Sequence, residues 1–243
     1  LAKAELAQKK MSNTQNRALS ISTATIDNLV QYEGCSEINW DNSVPNNFNL
    51  GSMAGCLTYS EVLAELDEMR ALYPNLISVK APISTDPNHK THGNSYTNGG
   101  QYDTWAGQDV LYVRISDNPD TDETNEPESL YSGMTHSREV SSMMNLIYYM
   151  WYLLENYDSD PGIKNLVDNH EMYFIPVANP DGLMWNEQIA PSGGGLQRKN
   201  LGPYNTGNNN ARGVDLNRNY DYFWGPNAIY GGSSGTTSNQ TYR

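Results

Sequence analysis

Apolar and polar positions follow two different periods along this chain, and the switch between them outlines its elements. Thr58 and Glu61 form a capping box. Val62, Leu63, Leu66, Met69 and Leu72 then recur at helical spacing until Pro74 stops the run. Leu76 to Ile83 and Asp109 to Ser116 are rich in β-branched residues and read as strands, separated by a turn-rich insertion over 86–108. A third strand, Ser129 to Met134, runs through a glycine turn into a helix. That helix carries an apolar stripe of Val140, Met143, Met144, Ile147, Met150, Trp151 and Leu154. Asp160-Pro161 opens a short further helix, and Glu171 to Ala178 is a fourth strand. Strands alternating with helices imply an α/β domain built on a mixed, largely parallel twisted sheet flanked by helices. Beyond Asp181 the Gly-, Asn- and Ser-rich composition predicts that regular structure thins out, with a mobile tip over 231–238.

The pattern divides the chain into a loop-rich extension over 1–56, with a possible helix over 1–17, and a compact domain over 57–243. The net charge of -13, from 28 acidic and 15 basic residues, leaves no basic face for nucleic acid. No apolar run approaches the roughly 20 residues of a membrane span. Cys35 and Cys56 are the two cysteines. Both sit among glycines and polar residues, which favours a disulfide worth about 3 kcal/mol over two buried thiols. With the composition, this points to a secreted or periplasmic protein. The acidic loop 117–128 has hard oxygen ligands suited to Ca2+, but it lacks the spacing of a calcium-binding hand and reads as a solvated loop.

The candidate chemistry begins at Leu130-Tyr-Ser-Gly-Met-Thr-His136-Ser-Arg-Glu139-Val140. His136 and Glu139 are three residues apart, which on a first helical turn places an imidazole and a carboxylate on one face. One nitrogen and one oxygen donor at the end of a strand suit two of the three protein ligands of a catalytic zinc ion. Alone, the pair is a weak signal. A surface histidine at a helix start, with a glutamate favoured by the helix dipole, would look the same.

Four motifs occur in one order: Thr-His136-Ser-Arg138-Glu139, Asn179-Pro180-Asp181-Gly182, Arg198-Lys199-Asn200 and Gly213-Val214-Asp215-Leu216-Asn217-Arg218-Asn219-Tyr220. Together they resemble the zinc metallocarboxypeptidases of the carboxypeptidase A type, over the N-terminal half of the catalytic domain. The resemblance covers about 57–243.

It implies that His136 and Glu139 bind Zn2+, with Asp215 accepting the other ring N–H of His136. Arg198 would stabilise the oxyanion. Asn217 and Arg218 would hold the terminal carboxylate of a peptide or protein, and Arg138 would line the cleft. The family's third zinc ligand and general base come from further along the chain, and no histidine follows His170 here. The chain is therefore expected to be a nicked or truncated part of the enzyme, inactive alone and partnered by its C-terminal fragment. His89 and His92 match no family position. Two rivals share the motifs. One is a zinc amidohydrolase acting on cell-wall peptides or acylated amino acids; the other is a peptide-binding relative without catalysis.

Overall fold

In the computed structural model the described residues are 44–202, 212–221, 224 and 233–243. The expected helix over 1–17 and Cys35 lie outside them. The chain divides between Ser43 and Val44, and Val44–Arg243 is one compact unit.

Helix α1, Tyr59–Leu72, begins at the predicted capping box. Thr58 Oγ1 accepts from Glu61 N at 3.3 Å, and Glu61 Oε2 accepts from Thr58 N at 2.7 Å. A third orphan N–H of that helix end, on Tyr59, donates to the Glu187 carboxylate at 2.6 Å. Strand β1 is only Ala81–Pro82. The expected Leu76–Ile83 strand is broken: Ile77 makes an isolated bridge to Ile115, and the chain re-pairs only at Ala81. Pro82 lacks the donor that would extend the ladder. Strands β2, Leu111–Ile115, and β3, Glu128–Ser132, precede helix α2, Val140–Asn156. Helix α3, Pro161–Val167, starts at Asp160, whose carboxylate accepts from Gly162 N and Ile163 N. Strand β4 is Glu171–Ile175.

Helix α4, Pro180–Ile189, corrects the expectation that regular structure ends near Asp181. Asn179 caps it by accepting from Gly182 N at 3.1 Å, and Pro180 takes the first helical position. The Asn-Pro-Asp-Gly motif is thus a helix start rather than a free turn.

The sheet order is β1-β2-β4-β3. It is mixed, with β3–β4 parallel and β1–β2 and β2–β4 antiparallel, so its parallel share is smaller than expected. Period-two alternation sends Val113, Ile115, Met172 and Phe174 to one face, all fully or almost fully buried. There they join Met143, Ile147, Met150 and Trp151 of α2 and Val62, Leu66 and Met69 of α1 in one core. Each such side chain contributes roughly 1.5–3 kcal/mol on burial. The other face is open. Ile83, Tyr112, Leu130, Tyr173 and Ile175 line a groove of about 460 Å³ there, and Leu130 is 67% exposed. Among the described residues, β3 pairs only with β4. No helix of the described residues is long and apolar enough to cross a membrane.

Residues 233–243 close on themselves through Ser234 N to Thr241 O and Arg243 N to Ser234 O. Lys199 Nζ donates to Thr237 O at 2.7 Å and to Asn239 O at 3.2 Å. These contacts tie the described part of that stretch to Lys199.

Candidate metal and substrate site

His136 and Glu139 do not lie on a helical turn. The helix begins at Val140, and the two residues occupy the bend between β3 and α2, closed by Glu139 N donating to His136 O at 3.0 Å. Met134 just before it takes a left-handed φ of 57°. Glu139 is the N-cap residue of α2, yet its side chain makes no capping bond. Ser142 meets local needs instead, its Oγ donating to Glu139 O and accepting from Met134 N. The Glu139 carboxylate thus has no part in capping the helix, and its side chain is 52% exposed.

The convergence expected for a helical pair is present all the same. His136 is buried, with Nδ1 3.0 Å from Glu139 Oε1 and Nε2 2.9 Å from Asp215 Oδ1. Asp215 is fully buried and, as a carboxylate, can only accept. In the neutral imidazole it therefore holds the ring proton on Nε2, which turns the Nδ1 lone pair toward Glu139.

Arg198 spans the two carboxylates. Its Nη2 and Nε donate to Asp215 Oδ2 at 3.1 and 3.3 Å, and Nη1 reaches Glu139 Oε1 at 3.4 Å. Asn217 N donates to Asp215 Oδ1 at 3.0 Å, so the 3₁₀ turn Leu216–Arg218 is capped by the same aspartate. Arg218 donates from Nη1 to Asn217 O, and its buried Nε has no protein acceptor among the described residues. The Asn217 and Arg138 side chains are exposed.

Two supports of this geometry carry no chemical signature in the sequence. The first is Asn186 of α4. Its Nδ2 donates to Ser137 O and Gln197 O at 2.9 and 3.0 Å, and its Oδ1 accepts from Gln197 N at 2.9 Å. Ser137 adds Oγ to Gln197 O at 2.8 Å and N to Arg198 O at 3.1 Å. The residues beside His136 and Arg198 are thus stitched to one helix. Gly182 permits this approach, because a Cβ there would lie 2.3 Å from Ser137 Oγ. The second is the 233–243 segment, whose Tyr242 O accepts from Asp215 N at 2.7 Å. Lys199, beside Arg198, is buried and holds that segment; burial pushes its ammonium pKa down, with Asp215 opposing the shift.

The donor set fits zinc. Two donor atoms on one tetrahedral zinc sit about 3.3 Å apart, given bonds of roughly 2.0–2.1 Å. His136 Nδ1 and Glu139 Oε1 are 3.0 Å apart. Among the described residues no third His, Cys, Asp or Glu joins them. His89 is bonded to Ser84 at 2.9 Å, and the exposed His92 packs on Gly202. His170 contacts Leu166 O at 3.2 Å, a local helix-end role. In the acidic loop, carboxylate oxygens of Asp117, Glu123 and Glu126 lie within 4.8 Å of one another. Burial and the neighbouring carboxylate of Glu123 push Asp117 and Glu126 up. Cys56 is half-buried and has no disulfide partner among the described residues.

The zinc carboxypeptidase family model matches residues 96–243. A zinc carboxypeptidase of Saccharothrix mutabilis subsp. capreolus is 34% identical over 171 residues, covering 70% of this chain and 33% of that one. Metallocarboxypeptidase A of Trichophyton tonsurans is 38% identical over 120 residues, covering 48% and 25%. The solved carboxypeptidase A of Helicoverpa armigera superposes with a TM-score of 0.55 at 26% identity, covering 79% of this chain and 39% of that one. The structure of thrombin activatable fibrinolysis inhibitor shares the fold with a TM-score of 0.54 at 18% identity. The chain spans a third or less of the length of these two sequence relatives. The matched segment takes in the bend at His136, the strap at Arg198 and the 3₁₀ turn at Arg218, and on that ground the chain belongs to the zinc carboxypeptidase family.

Proposed function

We propose that this chain supplies part of the metal site and the carboxylate-binding arm of a zinc-dependent exopeptidase that removes C-terminal residues from peptides and proteins. The observation that carries the reading is the two-sided grip on His136. Asp215 fixes one ring nitrogen, Glu139 faces the other, and Arg198 contacts both carboxylates. His136 Nδ1 and Glu139 would hold the ion. Zinc, when bound, supplies Lewis acidity toward a carbonyl oxygen and activates water.

The remaining roles fall to the chain's own residues. Arg198 is a fixed cation, its side chain only 14% exposed, set to favour negative charge developing beside the metal ligands. Substrate would displace its long contact to Glu139, while the shorter bonds to Asp215 keep the guanidinium oriented. Arg218, with the exposed Asn217 amide, would form a fork for a carboxylate. Arg138 flanks this arm and would contact the peptide further from its end. A site that favours a free carboxylate one residue from the metal cleaves at chain ends.

Two protein ligands hold zinc weakly, so this chain alone is proposed to be inactive. The rest of the parent protein would complete the site and dock against the β3 edge and the open sheet face. The acidic loop is read as solvated, and its carboxylates need no calcium for this function. A secreted or periplasmic location is the matching expectation for the site's partners.

Hydrolysis of an N-acylated dipeptide by this chain and by its longer parent tests the reading. Release of the C-terminal residue by the zinc-loaded parent, with little by the chain, is expected. A parent that binds zinc yet hydrolyses only internal bonds or cell-wall amides would overturn it.

A further inference from the structure

The geometry points to Arg212 as a positioning residue: a guanidinium locked in an aromatic socket sets the backbone that carries Asp215, Asn217 and Arg218. This rests on the function proposed above and adds a residue that none of the site motifs contains.

Arg212 is fully buried, although arginine seldom is. Its Cζ lies 3.7 Å from the Trp185 ring centroid and 5.1 Å from that of Tyr96. Tyr102 packs edge-on against Trp185 at 4.8 Å. Nη2 donates to Asn94 Oδ1 at 3.1 Å. Such a desolvated cation–π stack is among the stronger of its kind, and its planar fit is specific to a guanidinium. Burial pushes the guanidinium down to about 10, so it remains a cation at neutral pH.

The socket is itself fixed. Asn94 Nδ2 donates to Tyr96 O and Asp103 O at 3.2 and 2.6 Å. The buried Asp181 carboxylate of α4 accepts from Gly93 N at 2.7 Å and from Trp105 Nε1 at 3.1 Å. The insertion and α4 therefore form one rigid wall, with Trp185 on it.

From Arg212 to Asp215 the chain has little freedom. Gly213 has a φ of +61°, and a Cβ there would lie 1.9 Å from Asn200 O. Val214 N donates to Asn200 Oδ1 at 2.8 Å, and Asn200 N to Val214 O at 3.2 Å. With its start clamped at Arg212, this short run fixes where the Asp215 carboxylate meets His136 and where the Arg218 fork points. Displacements of about 1 Å in such positions can cost on the order of 100-fold in rate.

The test uses the 243-residue chain with Arg212→Met and, in case that variant does not fold, Arg212→Lys, which keeps the charge but loses the plane. NMR reads the exchange-protected Nε2–H proton of His136. It also reads binding of a benzoylated dipeptide against the same dipeptide with a C-terminal amide. In either variant the His136 proton should lose protection, and the preference for the free carboxylate should fall about tenfold. A lowered thermal midpoint, with both readouts within twofold of wild type, would reduce Arg212 to a packing residue and overturn the inference. Wild-type chain with no carboxylate preference would count against the peptidase reading instead; Arg212 is then judged on the His136 proton alone.

Discussion

The carboxamide of Asn186 and the backbone of Gln197 pair in both directions, Nδ2 to O at 3.0 Å and N to Oδ1 at 2.9 Å. An asparagine side chain here acts as a strand neighbour would. It fixes the segment of Arg198 against α4 while its second N–H holds Ser137 beside His136. Asn186→Ala should leave two buried backbone groups, Ser137 O and Gln197 N, without the partner they have here, while Gln197 O keeps Ser137 Oγ. A loss of about 2–4 kcal/mol is expected, from roughly 1–3 kcal/mol per unsatisfied group with partial relaxation. Denaturant unfolding measures it, and a change under ~0.5 kcal/mol would show that the pairing is incidental.

Glu139 separates metal binding from folding, because its side chain caps nothing. Glu139→Ala should abolish the weak zinc binding of this chain, read at equilibrium by competition with a chromophoric chelator. Stability should stay within about 0.5 kcal/mol of wild type. Equal zinc affinity in the variant and the wild type would remove Glu139 from the ligand set.

Asp215→Asn keeps the shape but can present an N–H to His136 and loses the charge opposite Arg198. Zinc affinity should fall about 10–100-fold, as for other partners of metal-bound histidines. Competition with a chromophoric chelator gives the number directly. Equal affinity would mean that the tautomer of His136 is set elsewhere.

One buried glutamate, Glu65, and one half-buried glutamate, Glu187, predict a pH dependence. Burial raises the carboxyl pKa of Glu65, against the opposing bond from Trp151 Nε1, and raises that of Glu187 against the bond from Tyr59 N. A carboxyl whose pKa is higher folded than unfolded binds more protons in the native state. Its contribution to stability is complete below the unfolded value and is lost as pH rises through the folded value. From these groups, stability should therefore increase as pH falls from neutral toward the ordinary glutamate range. Glu65→Gln should flatten part of that slope while keeping an acceptor for Trp151. Chemical denaturation across pH measures both, and identical slopes in the two proteins would assign the dependence to other groups.

Cys56 is half-buried, and Cys35 lies outside the described residues. Peptide mapping without reductant tests the disulfide expected from the sequence: one cross-linked peptide would support it, and two alkylated free thiols would end it.

Much of the fold was legible because local physics wrote it. The capping box at Thr58, the Asp160-Pro161 start and the stripe from Val140 to Leu154 each depend on neighbours within one or two turns. The family resemblance likewise groups His136, Glu139, Arg198 and Asp215 from the order of their motifs alone. Helix α4 is not legible in the composition beyond Asp181, because Asn-Pro-Asp-Gly is equally a turn signal and only packing against Ser137 distinguishes the two. Pro82 and the irregular pairing around Ile77 shortened β1 for the same reason: strand length depends on the partner strand.

By itself the sequence determined which donor types exist, their order, and the helices whose ends and apolar faces are encoded within a few residues. The tertiary structure alone decided that His136 and Glu139 converge from a bend rather than a helical turn. It also decided that Asn186 ties their neighbours together and that Arg212 is buried against Trp185. Each is a contact between residues far apart in the chain. The free energy of such contacts comes from excluding water and matching hydrogen bonds in three dimensions, and no local spacing records it.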